Sequence, residues 1–128
     1  MVDDNCLFCK IGQGIEPAKI IFETEDFLCI ENKYPVAPIH VLVIPKAHRI
    51  KTEWVIPSSA KASERSKLVV QSDQFWGKIM AVVFQVICQL GLDKTGYKLV
   101  NNGAGYNHFD HEHMHILGGS KLEPGGAT

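Results

Sequence analysis

The chain alternates short apolar runs with polar breaks marked by proline or glycine, and the period of the runs changes along its length. Ala18-Lys19-Ile20-Ile21-Phe22-Glu23 follows Pro17 and reads as a strand. Thr24-Glu25-Asp26 is a polar turn, and Phe27-Leu28-Cys29-Ile30-Glu31 completes a hairpin. Asn32-Lys33-Tyr34-Pro35 and Ala37-Pro38 form a proline-punctuated loop. His40-Val41-Leu42-Val43-Ile44 is a β-branched run closed by Pro45, the pattern of a buried strand. Further on, Ser72-Asp73 supplies an N-cap and Gly91 a stop, which predicts a helix from about Gln74 to Leu90. Trp76, Ile79, Met80, Val83, Ile87 and Leu90 lie on one face of that helix. Phe75, Val82, Phe84 and Val86 fall outside the stripe, so the pattern predicts burial on two sides and a subunit interface. Tyr97-Lys98-Leu99-Val100-Asn101 is another strand, and Asn102-Gly103-Ala104-Gly105 a turn. His111-Glu112-His113-Met114-His115-Ile116-Leu117 alternates up to Gly118-Gly119 and reads as the last strand.

Strands first, one long helix, then strands again predict a single α+β domain over residues 1–128. Residues 46–67 carry six basic and two acidic side chains with Pro57-Ser58-Ser59 inside, which reads as a long solvated connection. Over the whole chain thirteen basic and fourteen acidic side chains give a net −1, so neither a nucleic-acid partner nor a polybasic membrane anchor is written into the composition. The most apolar run, near Ile79 to Leu90, is interrupted by Gln85 and Gln89 and is too short to span a bilayer. Met1-Val2-Asp3-Asp4-Asn5 is acidic where a secretory leader is basic, and the expectation is a cytoplasmic protein.

That compartment bears on the four cysteines, because disulfides rarely persist in a reducing environment. Cys29 and Cys88 lie in apolar runs and are expected to be small core residues. Cys6-Leu7-Phe8-Cys9 is a C-x-x-C pair, a half-site for zinc or a redox couple. A redox pair of the thioredoxin kind follows a strand and opens a helix, and only a few polar residues precede this one. Zinc is the better assignment if two more ligands lie elsewhere.

Three of the six histidines stand at 111, 113 and 115. On a strand, alternate side chains share a face, which spaces these roughly 7 Å apart along the backbone, with Glu112 and Met114 facing the other way. A purification tag would be contiguous and terminal, unlike this run. Imidazole serves at neutral pH as nucleophile or metal ligand, so the row suits either chemistry or both.

His111-Glu112-His113-Met114-His115-Ile116-Leu117 resembles the His-x-His-x-His signature of the histidine triad superfamily of nucleotide hydrolases and transferases. Cys6-Leu7-Phe8-Cys9-Lys10-Ile11, Ile15 to Glu23 and Ala37 to His48 are similar, in order, to earlier segments of its small Hint-like branch. Residues 49–73 and 121–128 fall outside the likeness. The resemblance implies an antiparallel sheet with one main helix, paired as a homodimer partly through that helix. It also implies chemistry on a purine nucleotide. His113 matches the family nucleophile, attacking the α-phosphorus to form a nucleotidyl-histidine. His115 matches the residue on the phosphate oxygens, and His40 the partner that supports the nucleophile. Asn32 stands where the family contacts the ribose hydroxyls, and Asn101 where it places an asparagine near the α-phosphate. Ile30, Ile20 and Phe8 match walls of the base pocket, though plain core packing explains them nearly as well. Cys6, Cys9, His48 and His111 match a structural zinc set; His111 therefore belongs to both the triad and the metal group.

The chain departs from the family before the triad, where Tyr106-Asn107-His108-Phe109-Asp110-His111 replaces a Gly-Gln-Ser/Thr-Val-x-His pattern. Asn107 and His108 keep hydrogen-bonding ability near the phosphate, with His108 either a cation by the site or a surface histidine. The stretch at about 49–73 is longer than in Hint-like members, as a lid, a partner site or neither. The C-terminus lacks the tryptophan some members carry. The resemblance implies hydrolysis of purine nucleoside phosphoramidates of the adenosine 5′-monophosphoramidate type. The alternatives are a dinucleoside polyphosphate hydrolase and a nucleotide-binding interaction protein with weak catalysis. The C-x-x-C opening and short C-terminus favour the first over the second, and the intact histidine set speaks against the third.

Overall fold

A computed structural model of the chain describes residues 6–47, 73–102 and 111–119. His48, the stretch at 49–72, Asn107, His108 and residues 120–128 lie outside the described residues, and so do the expectations placed on them. The elements run α1 (Leu7–Gly12), β1 (Ile20–Glu23), β2 (Phe27–Glu31), β3 (Ile39–Pro45), α2 (Asp73–Gln89), α3 (Leu92–Thr95), β4 (Tyr97–Val100) and β5 (Met114–Gly118). The five strands form one sheet in the order β1-β2-β3-β5-β4, antiparallel at each pairing. This is the α+β architecture the pattern predicts.

Strand alternation divides the sheet into two faces. Phe27, Cys29, Val41, Val43, Met114 and Ile116 pack against Ile79, Val82, Val83, Val86 and Ile87 of α2, with Leu92 of α3. Leu28, Ile30, Leu42 and Ile44 face the opposite way, against Phe8 and Ile11 of α1. Ile79 is fully buried, and truncating it to alanine costs about 2–5 kcal/mol in transfer and cavity terms.

Gly91, at φ 72°, provides the left-handed turn between α2 and α3. At Gly118 an added Cβ would come within 2.6 Å of a Leu92 methyl. The glycine therefore lets α3 close on β5.

Three expectations are corrected. Val82 and Val86 belong to the buried core and Phe75 packs against it, so the apolar stripe of α2 is wider than the one read from spacing. Phe84 alone of the four off-stripe residues stays out, 48% exposed. Cys88 is exposed rather than a core residue, because at its helical position it points away from the sheet. The last strand begins at Met114, not His111, with only an isolated bridge at His111. Its pairing with β3 ends at Val43–Met114; continued, the register would set Glu112 against Pro45, which has no N–H to give.

Among the described residues no helix is long and apolar enough to cross a membrane.

Candidate functional site

Four histidines converge on the α1 face of the sheet. His40 shares strand parity with Leu42 and Ile44 on β3, and His115 lies beside it on β5, with ring centroids 5.1 Å apart. His113 is next along, its ring 5.0 Å from that of His115. The Phe8 ring meets His113 at 5.2 Å and His111 at 5.7 Å, in both cases edge-on. The row stays on one side even though its first members precede the regular strand. His40, His111 and His113 are buried, while His115 is partly open.

Hydrogen-bond partners assign a tautomer to each ring. His111 Nε2 donates to the Pro45 carbonyl at 2.8 Å, which leaves the Nδ1 lone pair directed at two sulfurs. These are Cys6 Sγ at 3.1 Å and Cys9 Sγ at 3.4 Å. His113 Nδ1 donates to the His111 carbonyl at 2.9 Å, so the unprotonated nitrogen of His113 is Nε2. His40 Nδ1 accepts the Val36 N–H at 3.1 Å, which places the proton of the neutral ring on Nε2. From there it donates to His115 Nδ1 at 2.8 Å, and the proton of neutral His115 then sits on its outer Nε2. The Asn32 amide nitrogen lies 3.1 Å from the same His40 Nε2. Its Oδ1 accepts the Tyr34 N–H at 2.9 Å, which orients the amide and makes that nitrogen a neighbour of His40 rather than a second donor to it. Burial lowers the pKa of His40 from its ordinary value, favouring the neutral form that this arrangement requires.

Three of the four expected metal ligands, Cys6, Cys9 and His111, are brought together. The ligand atoms of Cys6, Cys9 and His111 all lie within 4.8 Å of one another. Tetrahedral zinc sets sulfur and nitrogen ligands roughly 3.5 Å apart, close to the two S···N distances. The Nε2–H bond to Pro45 is the outer contact that a metal-bound histidine normally makes. The donor set fits zinc. His48, the expected fourth ligand, lies outside the described residues, three positions after Pro45. None of the four cysteines forms a disulfide, and burial pushes the Cys29 thiol up to about 12.

The proposed base-pocket residues divide. Phe8 and Ile30 are buried in the α1-face cluster, whereas Ile20 is 51% exposed. Asn101 donates its amide to Glu112 Oε1 at 2.9 Å and to the His113 carbonyl at 3.3 Å. Glu112 is itself buried at 2% exposure. Four partners escaped the sequence: the Pro45 and His111 carbonyls, the Val36 N–H and the Glu112 carboxylate. The first three are backbone groups with no side-chain signature. Glu112 was visible as a charge at a position whose strand-mates Met114 and Ile116 are apolar.

Fold and site together define a small α+β protein built around a histidine row, with cysteines closing one end of it. The chain belongs to the HIT family: a HIT domain model matches residues 13–122. A HIT-like protein of Rickettsia prowazekii is 35% identical over 95% of this chain and 93% of its own length. A histidine triad protein of Clostridium difficile superposes with a TM-score of 0.78 at 32% identity, covering 97% of this chain and 98% of that one. A HIT family hydrolase of Legionella pneumophila gives 0.72 at 32% identity, covering 92% and 96%. A histidine triad nucleotide-binding protein of Candida albicans gives 0.68 at 28%, covering 97% and 86%. A zinc-bound histidine triad family protein of Mycobacterium smegmatis gives 0.62 at 25%, covering 92% and 77%.

Proposed function

We propose that the chain is a nucleotide-binding hydrolase that cleaves purine nucleoside phosphoramidates, of the adenosine 5′-monophosphoramidate type, through a nucleotidyl-histidine intermediate. The observation that carries this is the tautomer of His113. With Nδ1–H held on the His111 carbonyl at 2.9 Å, Nε2 keeps its lone pair and acts as a neutral nucleophile. It attacks the α-phosphorus; the N–P bond to His113 forms and the P–N bond to the amine breaks. The departing nitrogen takes up a proton and leaves as the amine. Water then attacks the same phosphorus, the histidine leaves, and the nucleoside monophosphate is released.

His115 meets the charge that develops on the phosphate oxygens through its Nε2–H, kept outward because Nδ1 accepts from His40. His40 holds that tautomer and stays neutral through burial. Asn32 contacts the ribose hydroxyls beside His40, Asn107 and His108 serve the phosphate end, and Asn101, its amide N–H groups given to Glu112 and the His113 carbonyl, stands behind the nucleophile. Ile20, Ile30 and Phe8 wall the base, where a bicyclic purine buries more area than a pyrimidine. The hydrolase named from Legionella and the nucleotide-binding protein named from Candida support this reading of the same fold.

Cys6, Cys9, His111 and His48 hold a structural zinc in this proposal, supported by the S···N distances and the zinc-bound mycobacterial relative. The ion would supply folding energy by pinning α1 to the segment that carries His113. The protein acts in the cytoplasm as a homodimer, supported by half-exposed Phe84 and Tyr97.

The test is turnover of adenosine phosphoramidate, a diadenosine polyphosphate and a nucleotide sugar measured side by side. The phosphoramidate should give the highest kcat/KM. Preference for the dinucleotide would replace this reading with a dinucleoside polyphosphate hydrolase. Tight AMP binding without turnover of any substrate would replace it with a nucleotide-binding interaction protein.

A further inference from the structure

His113 stands where both strand pairings of β5 run out. The pairing of β5 with β3 ends at Val43–Met114, and that with β4 at Val100–His115, so His113 lies beyond the last ladder pair on both sides. Side chains take over there. The His113 N–H donates to Glu112 Oε1 at 2.9 Å, and the His113 carbonyl accepts from Asn101 Nδ2 at 3.3 Å. The same Asn101 nitrogen donates to Glu112 Oε1 at 2.9 Å. Both polar groups of the His113 backbone are thus held by a two-residue clamp, and its hub is one carboxylate oxygen.

That carboxylate is expensive to place. Glu112 is 2% exposed, on the strand parity of Met114 and Ile116, where an apolar side chain would fill the space without desolvating a charge. Two donors converging on one carboxylate oxygen fix geometry that packing leaves loose. The location matters as much as the strength. The Glu112 side chain reaches forward to the His113 N–H, while the His113 ring reaches back to the His111 carbonyl at 2.9 Å. Both bonds span residue 112. A change in backbone direction there moves the carbonyl that selects the His113 tautomer and the ring that carries Nε2.

We infer that Glu112 is a positioning residue for the nucleophile: through His113 N–H and Asn101 it holds the backbone that aims His113 Nε2. It touches neither nucleotide nor reacting atoms. This rests on the nucleotidyl-histidine reading above.

The test compares wild type, Glu112→Gln and Glu112→Leu in single-turnover reactions with adenosine phosphoramidate, following the nucleotidyl-His113 adduct by mass. AMP affinity and the ¹⁵N spectrum of the His113 ring are measured alongside. Glutamine keeps an acceptor oxygen, so Glu112→Gln should form the adduct within about threefold of wild type. Leucine removes the acceptor, and a misaimed nucleophile should slow adduct formation by about thirtyfold or more. AMP affinity should stay within about threefold in both variants, because the loss falls on the chemical step rather than on binding. The ¹⁵N spectrum should show Nδ1-protonated His113 in wild type and Glu112→Gln, and a tautomer mixture in Glu112→Leu.

Wild-type rates in a folded Glu112→Leu, or a loss in Glu112→Gln as large as in Glu112→Leu, would overturn the inference. If Glu112→Leu does not fold, Glu112→Gln decides: retained rate and tautomer support the clamp, and a fall beyond about tenfold refutes it. A wild type that forms no adduct overturns the functional reading and this inference together. Variants that fail the pattern beside a competent wild type overturn this inference alone.

Discussion

The Nδ1–H of His113 points at the main-chain carbonyl of His111, 2.9 Å away, while the ring of that same His111 turns its own Nδ1 to Cys6 and Cys9. One residue thus links the two ends of the site: its carbonyl sets the tautomer of His113, and its imidazole completes the sulfur cluster. A shift of helix α1, which carries Cys9, therefore reaches His113 through two contacts.

Replacing His113 with glycine removes the Nε2 proposed as the nucleophile. Turnover of adenosine phosphoramidate should fall by roughly 10⁴-fold or more, since a lost nucleophile is not replaced by binding groups alone. AMP binding measured by calorimetry should persist within an order of magnitude of wild type. Wild-type turnover in the glycine variant would remove His113 from the role.

Protein purified without added metal should contain about one zinc per chain by elemental analysis. Cys6→Ser should lower both the zinc content and the Tm, the latter by more than roughly 5 °C, because a ligand bound only by the folded state stabilises it. Unchanged zinc and Tm in that variant would show that Cys6 holds no metal.

Much of the frame was legible because period and punctuation agree. β2 runs over Phe27–Glu31 as the apolar run after the polar turn predicts, and α2, Asp73–Gln89, starts and stops within a residue of the predicted Gln74 to Leu90. Burial was less legible. Val86 and Cys88 are both apolar residues in one helical turn, yet only Val86 meets the sheet. Which flank of a helix turns inward depends on what it packs against, and spacing alone does not carry that.

At the site, the four histidines and two cysteines were readable as residue types. Their tautomers were not, since they depend on the Pro45 and His111 carbonyls and the Val36 amide. Such groups acquire their roles through tertiary placement. The alternation that placed the imidazoles on one face also ran the strand too far, back to His111, because it took no account of the pairing lost near Pro45.

His40 should titrate below its usual 6.5, since burial disfavours the charged ring. In the unfolded chain it takes up a proton near 6.5, so between that pH and its lower folded value the unfolded state binds more protons. Stability should therefore rise with pH across this window and lose the His40 contribution as pH falls through it. Histidine ¹⁵N titration and denaturant melts from pH 5 to 7 measure both. A His40 titrating above 6.5 would contradict the buried neutral ring.

Phe84 is 48% exposed on α2 and Tyr97 44% exposed on β4, apolar surface outside the core. If α2 pairs two copies, sedimentation should give twice the 14.2 kDa chain mass at micromolar concentration. Phe84→Glu should then shift the protein toward monomer with its circular dichroism unchanged, because a charge at a buried interface lacks a partner. A wild type sedimenting as a single chain would refute the pairing.

Thiol labelling separates the four cysteines by environment. In the Phe84→Glu variant Cys88, one helical turn from Phe84, is exposed and should react with a maleimide within minutes at pH 7. Cys29 is fully buried with its thiol pushed up to about 12, so almost no thiolate exists and the reagent has no access; it should stay unmodified until the chain unfolds. Cys6 and Cys9 face His111 Nδ1 at 3.1 and 3.4 Å and are the diagnostic pair. With zinc bound their sulfurs are occupied, and labelling should stop at one thiol per chain. After chelation and removal of the metal it should rise to three, with Cys6, itself only partly buried, reacting before Cys9. Peptide mapping by mass spectrometry reads each site separately. Equal labelling of Cys6 and Cys9 before and after chelation would show that no metal shields them, and modification of Cys29 in the folded protein would contradict its burial beneath α2.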